Sequence, residues 1–394
     1  MNPPERHMNT EQQQDMDALT DSVRRFTLAR IAPHVAEWDE AGEFPRSLYR
    51  EAAALGLLGL GYPEALGGTP AWFALRNAVS VTMSRYGGSG GLLASLFSHN
   101  IGLPPVLRHG LPELQQEVVP PVLRGEQIAA LAITEPGGGS DVASLRTTAR
   151  RDGQEWVVSG EKVFITSGMR ADWFTTAVRT GDPGSKGADG ISILLVPGDA
   201  VGLSRSALKK MGWWCSDTAQ LRLDNVRVPA RYLLGEEGGG FKMIMGNFNG
   251  ERLSLSAMAL GFAQACYDEA LDWARQRKTF GAALIERRVI RHKLVDMQMR
   301  IASTQAWLAA VTARADAGEE QSGDADWIAQ VCMLKNHATQ TMQFCADQAV
   351  QILGGMDFMR GTTSERIYRE VKVMMIGGGA EEIMKDLAAR QLKL

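Results

Sequence analysis

Leu131-Ala132-Ile133-Thr134-Glu135-Pro136-Gly137-Gly138-Gly139-Ser140-Asp141 sets an apolar run directly before a stiff corner, three glycines and a Ser-Asp pair. Glycine lets backbone come close to a ligand and adopt positive φ at little cost. Pro136 fixes its own φ and biases Glu135 towards extended backbone. Such a loop can offer N–H groups and the Ser140 hydroxyl to a flat polar ring or a phosphate. Equally, its glycines can do no more than turn the chain. Two nucleotide-binding patterns are excluded: no Gly-Lys-Ser/Thr follows, and no G-x-G-x-x-G opens a helix here. Cys215, Cys266, Cys332 and Cys345 lie far apart without C-x-x-C spacing, so neither a zinc site nor a disulfide framework is expected.

The elements that must position this loop fall into successive stretches. A chain of 394 residues exceeds one simple core, and 45% hydrophobic with 22% charged residues is an ordinary globular composition. The net charge of −3, without a block of like charges, argues against a nucleic-acid partner. The polar start lacks an apolar signal core and no apolar run reaches membrane-spanning length, so a cytoplasmic protein is expected. Residues 1–16 read as a flexible tail. Residues 17–125 are mostly helical in pattern, with Leu19, Val23 and Phe26 at spacings of four and three. Residues 126–235 read as a β domain with short strands at 147–151, 156–159, 162–166 and 191–196. Asp152-Gly153 and Ser159-Gly160 serve there as hairpin-turn pairs. All fifteen prolines lie at or before Pro229, and residues 236–394 carry long helical periods at 251–278, 286–317, 325–353 and 364–375. The expected fold class is α+β: an N-terminal helical domain, a middle antiparallel β domain and a C-terminal bundle of the four-helix type.

That order, with Thr134-Glu135-Pro136-Gly137-Gly138-Gly139-Ser140-Asp141 heading the β domain, resembles the acyl-CoA dehydrogenase family of flavoproteins over residues 17–394. Further motifs support the resemblance. They are Val158 to Gly168, Lys210-Met211-Gly212-Trp213 with Ser216-Asp217-Thr218, Gly235 to Phe241, and Arg277-Lys278-Thr279-Phe280-Gly281. Gln351-Ile352-Leu353-Gly354-Gly355 and Arg366-Ile367-Tyr368-Arg369-Glu370 complete the set. The resemblance implies FAD as cofactor, held by Leu131, Ile133, Thr134, Gly139, Ser140, Phe164, Ile165 and Thr166. Phe164 stands where the family often has Trp, and the Thr166 hydroxyl would reach the flavin N5. Ser140 would also face the acyl-CoA thioester. Arg277, Thr279, Phe280, Gln351, Gly354 and Gly355 match residues that reach the FAD of a neighbouring subunit, which implies a dimer-of-dimers homotetramer. Glu382 matches a residue beside the FAD. Read without the resemblance, Phe164 is β-core filling and Arg277 a helix-end charge complementing the dipole. The chain departs from the family at Arg288, where Gln is common.

The resemblance also implies a reaction in fatty acid metabolism: removal of an α proton and a β hydride from an acyl-CoA, giving a trans-2-enoyl-CoA, with electrons passed to an electron-transfer flavoprotein. Many members carry the base, a Glu, near the C-terminus, but the corresponding position here is Gly378. A branch including the isovaleryl-CoA and long-chain enzymes carries it on the facing helix before an Arg, as in Asn249-Gly250-Glu251-Arg252-Leu253. Glu251 is therefore the candidate base and Arg252 its substrate-side neighbour; the plainer reading is that Glu251 stabilises a helix N-terminus. Glu381 and Glu382 are the local rivals. An oxidase or monooxygenase of the same fold, or a non-catalytic acyl-CoA-binding member, stands as the alternative to a dehydrogenase.

Overall fold

The computed structural model describes residues 10–181 and 187–394. The chain opens with helices α1 (Thr10–Phe26), α2 (Val35–Ala41), α3 (Ser47–Ala54), α4 (Phe73–Gly87), α5 (Gly90–Leu96), α6 (His99–Gly102), α7 (Pro104–His109) and α8 (Pro112–Leu123). Helix α1 starts inside the stretch expected to be a loose tail, because residues 10–16 continue the turn that buries Val23; residues 1–9 lie outside the described residues. A sheet follows: β1 (Ala129–Ala132), β2 (Thr148–Asp152), β3 (Glu155–Thr166), β4 (Trp173–Arg179), β5 (Ile191–Pro197), β6 (Leu203–Ala207), β7 (Thr218–Pro229) and β8 (Leu233–Leu234). Strand order is β6-β7-β3-β2-β4-β5-β8, antiparallel except where β1 and β2 each run parallel to β4.

The β2–β3 hairpin turns at Gly153-Gln154, one residue past the expected Asp152-Gly153 pair because Asp152 still pairs with Glu155, and Ser159-Gly160 does not turn the chain. It lies within the continuous strand β3, where the register against β7 shifts between Val158 and Gly160. The reason is crowding: a Cβ at Gly160 would lie 2.5 Å from Thr147 Oγ1, so glycine serves close approach here rather than reversal.

The C-terminal region comprises α9 (Gly240–Gln276), a short hairpin β9 (Lys278–Thr279) and β10 (Ala282–Ala283), α10 (Arg288–Asp316), α11 (Glu319–Ser322), α12 (Ala325–Leu353), α13 (Thr363–Ile376) and α14 (Glu381–Gln391). Helix α9 begins well before the expected 251, since the glycines at 240, 246 and 250 hide its first turns from a propensity reading. It packs on α12, α4, α10 and α13, and at Gly261 it approaches α4 so closely that a Cβ would lie 2.4 Å from Val81 O. Carboxylates tie the helical layers together. Asp316 of α10 accepts the first N–H groups of α4 (Phe73, 2.6 Å; Ala74, 3.1 Å), and Glu269 of α9 accepts those of Thr363 and Ser364 at the start of α13. Each satisfies donors that a helix start leaves orphaned. Among the described residues no helix is long and apolar enough to cross a membrane, and no group of three or more His, Cys, Asp or Glu side chains is placed to hold a metal.

Candidate active site

The glycine-rich loop is held by an ion pair that the sequence reading did not single out. After β1 the backbone doubles back, with Glu135 N–H donating to Gly138 O (3.2 Å) and Gly138 N–H returning to Glu135 O (3.0 Å). The Glu135 carboxylate accepts the N–H groups of Arg146 (2.6 Å) and Thr147 (2.9 Å) and the ammonium of Lys162 (2.8 Å). Lys162, fully buried in β3, also donates to Ile133 O at 3.0 Å. Burial pushes the Glu135 carboxyl up, but the Lys162 charge and these hydrogen bonds hold it below its ordinary value. Burial in turn pulls the Lys162 ammonium down to about 8 against the attraction of Glu135. Val163 N–H donates to Thr134 O (2.9 Å), fastening the loop to β3. No local signal marked Lys162: it stands between exposed Glu161 and buried Val163, and its burial rests on the oxygens of Ile133 and Glu135 that meet it.

This anchor presents one side of the loop outward. Ile133 is buried, Leu131 and Thr134 are half-buried, and Gly139 and Ser140 are exposed, with Gly139 folded over Thr134. Next to the loop, β3 bulges between Lys162 and Ile165. There Phe164 takes φ +61° and is 69% exposed, while Ile165 is buried. A left-handed aromatic residue is costly, and such outliers cluster where a ligand is held. β-core filling is thereby excluded for Phe164. The hydroxyls of Thr134, Ser140 and Thr166 make no hydrogen bond among the described residues. An exposed aromatic face beside uncommitted hydroxyls and backbone fits a planar heteroaromatic ring such as a flavin.

Glu251 lies on α9, eleven residues past its first residue Gly240, so it does not stabilise a helix N-terminus. Its Oε2 is buried without a hydrogen-bond partner. Burial pushes the carboxyl up to about 7, against the charges of Arg252 and Lys335. Arg252 is buried, donates through Nε to Gly378 O (2.9 Å) and through a terminal nitrogen to Asn249 Oδ1 (3.0 Å), and covers the Phe248 ring. Gly378 sits directly opposite: its φ is +68°, and a Cβ there would lie 3.8 Å from Glu251 Oε1. The two positions that could carry a base thus face one another, and only Glu251 bears a carboxylate. Glu382 is exposed in the first turn of α14, and Glu381 is committed to Lys385 (2.6 Å) and Gln340 (2.8 Å).

The remaining candidates are not brought to the loop within one chain. Arg277 and Phe280 are exposed around the β9–β10 hairpin, Phe280 completely, with φ +50°. Thr279 is half-buried, and its carbonyl accepts from Arg287 (2.8 Å). Gln351, Gly354 and Gly355 are exposed at the end of α12, followed by exposed Met356, Phe358 and Met359. No hydrogen bond or ion pair among the described residues joins either group to the 131–140 loop or to β3.

Comparison with known proteins matches residues 12–126 to the acyl-CoA dehydrogenase N-terminal domain, 130–226 to the middle domain and 238–393 to the C-terminal domain. The chain is 34% identical to the mitochondrial long-chain specific acyl-CoA dehydrogenase of Mus musculus, over 95% of this chain and 86% of that protein. It is also 34% identical to the cyclohexane-1-carbonyl-CoA dehydrogenase of Geobacter metallireducens, over 96% and 97% respectively. The crystal structure of an acyl-CoA dehydrogenase from Geobacillus kaustophilus superposes with a TM-score of 0.91 at 33% identity, covering 99% of this chain and all of that one.

Proposed function

The chain belongs to the acyl-CoA dehydrogenase family and is an oxidoreductase of that kind, and from this premise we propose an FAD-dependent enzyme that converts an acyl-CoA to its trans-2-enoyl-CoA with Glu251 as the base. The observation that carries this reading is the pairing of an unpartnered, desolvated Glu251 carboxylate with a side-chain-free Gly378 across from it. The exposed, strained Phe164 with the free hydroxyls of Thr134, Ser140 and Thr166 supports a flavin beside the 131–140 loop. Leu131, Ile133, Gly139 and Ile165 complete that wall. The chemistry a bound flavin supplies is acceptance of the β hydrogen as hydride.

Glu251 takes the α proton. Its raised affinity for a proton makes it a stronger base than a solvated carboxylate, and its vacant Oε2 has no competing donor to displace. The charge of Arg252 offsets that affinity only in part: its Nε donates to Gly378 O and a terminal nitrogen to Asn249 Oδ1, and no hydrogen bond joins it to Glu251 among the described residues. We assign the exposed Ser140 hydroxyl to the thioester arm. The exposed apolar side chains Phe280, Phe358 and Met359 support burial against a second copy. In that arrangement Arg277, Thr279, Gln351, Gly354 and Gly355 would complete a neighbour's FAD site in a homotetramer, and Glu382 would lie beside the FAD. We assign the electrons to an electron-transfer flavoprotein. The cysteines, all free and buried, fit a reduced cytoplasmic setting.

The test is anaerobic mixing of the purified protein with butyryl-, octanoyl-, palmitoyl- and cyclohexanecarbonyl-CoA. Bleaching of a bound flavin with formation of the enoyl-CoA is expected. A protein that takes up no FAD, or whose flavin none of these thioesters reduces, overturns the reading.

A further inference from the structure

Lys335 of α12 is fully buried. Its ammonium donates to two carbonyls, Met375 O and Gly379 O, each at 2.8 Å. These acceptors bracket residues 376–378 where α13 ends in a turn, and of these Gly378 faces Glu251. From the other side, Arg252 Nε donates to Gly378 O at 2.9 Å. The turn is therefore gripped by two buried cations from two helices, α9 and α12. Capping the Met375 carbonyl at the end of α13 does not require a full charge, since a neutral donor can fill that role. Burying an ammonium among carbonyls alone is expensive.

We propose that Lys335 is a positioning residue for the base: it clamps the Gly377–Gly379 turn over Glu251 and supplies the charge that sets the pH at which the Glu251 carboxylate becomes available. The charged and titratable groups around this pocket are few. Arg252 comes from α9, and Lys335 with the neutral thiol of Cys332 comes from α12. Glu381 at the start of α14 acts on Lys335 from outside, already paired with Lys385. Of the two cations, Arg252 is committed to the Gly378 carbonyl and Asn249, and Lys335 works through the turn and through space. It makes no direct hydrogen bond to Glu251. Removing its charge therefore leaves the carboxylate's immediate contacts in place and changes only the field and the turn.

For its rate readout this inference rests on Glu251 being the base; the carboxyl titration does not. The experiment uses the full-length FAD-bound protein with Lys335→Met and Lys335→Gln, the latter retaining a donor for one carbonyl. Infrared difference titration against a Glu251→Gln background follows the Glu251 carboxyl itself, and anaerobic flavin reduction by an acyl-CoA active on the wild type gives the pH–rate profile. Both midpoints should move upward by roughly one pH unit, as expected when a nearby opposite charge is lost. The rate at a fixed pH below the midpoint should fall about tenfold and recover at high pH. An unmoved carboxyl midpoint, or a rate loss equal at all pH values, overturns the proposal and leaves Lys335 as a cap of α13. Loss of the fold in both variants also counts against it. If Glu251→Gln reduces flavin normally while the carboxyl midpoint still moves in Lys335→Met, the positioning role stands and the assignment of the base fails.

Discussion

Two carboxylates, buried Glu135 and half-buried Glu251 with its Oε2 shut off from solvent, show opposite uses of the same group. Glu135 meets an ammonium and two backbone N–H groups at hydrogen-bond distance, and its carboxyl is held below its ordinary value. Glu251 is flanked by cations whose donors point elsewhere; one oxygen has no partner, and its carboxyl rises to about 7. A satisfied buried charge fixes geometry, and an unsatisfied one stores proton affinity. The difference separates the residue that builds the loop from the residue assigned to act on a substrate. It is also open to direct attack.

The largest effect is expected from Glu251→Gln. The amide keeps size and shape but removes the proposed base, and general-base catalysis alone is worth roughly 10²–10⁴-fold. Anaerobic single-turnover flavin reduction should slow by that range while FAD content is retained. Stability should move the other way. A carboxyl raised from an ordinary 4.5 to about 7 in the folded state binds its proton more tightly there. Its contribution to stability is therefore present below pH 4.5 and is lost as pH rises through about 7. The Gln variant should be more stable than wild type above that range, by as much as about 3 kcal/mol. Near wild-type bleaching, or a destabilised variant at pH 8, would break the contrast with Glu135.

Next comes Lys162→Met, which attacks the satisfied member. It leaves the Glu135 charge buried with two N–H donors and no cation. Removing one partner of a buried pair typically costs about 3–5 kcal/mol. Urea unfolding should show a loss of that order, and FAD should be released more readily because Ile133 and Thr134 lose their anchor. The same substitution should leave the Glu251 carboxyl midpoint unchanged.

The contrast also marks what the sequence could show. The helical, β, helical order was legible because turn pairs, strand alternation and the absence of proline after Pro229 are local signals. The continuity of β3 through Ser159-Gly160 was not, since that pair is a turn signal in isolation and only Thr147 across the sheet makes it a close approach. Likewise, the first turns of α9 were masked by their glycines, which made Glu251 look like a helix-start residue. Phe164 looked like core filling, because a bulge that turns one side chain outward depends on its partner strand. Lys162 and Lys335 drew no attention: a buried lysine is recognised by the carbonyls and carboxylate of distant segments, and those distances exist only after folding.

A smaller effect is expected in the pH profile at low acyl-CoA concentration, which reports the free enzyme. With the Glu251 carboxyl at about 7, the base form is lost as pH falls, so the rate should drop tenfold per pH unit below that midpoint. Glu370, buried and likewise pushed up to about 7, titrates in the same range. Rate rather than stability therefore isolates Glu251. A midpoint near the ordinary carboxylate value would mean that Glu251 is as well solvated as a surface side chain, and the comparison with Glu135 would lose its basis.

The smallest expected effect is a partial rescue, and it asks whether the pocket needs Glu251 or only a carboxylate. Adding Gly378→Glu to Glu251→Gln places a new side chain whose Cβ starts 3.8 Å from the old Oε1 position. Two costs oppose it. The φ of +68° suits glycine and costs an L-residue roughly 1–2 kcal/mol. The Cβ would also lie 2.9 Å from Leu255 Cδ1, though that is the far end of a side chain that can shift. Against these, the turn stays fastened through the Gly379 and Met375 carbonyls to Lys335, and through residue 378's own carbonyl to Arg252. Flavin reduction should recover by about tenfold over Glu251→Gln alone, well short of wild type, because the strained backbone holds the new carboxylate in fewer productive orientations. Full recovery would show that the pocket accepts a base from either side without preference. No recovery in a double variant that folds and binds FAD would show that α9, and not the facing turn, holds the only productive direction of approach.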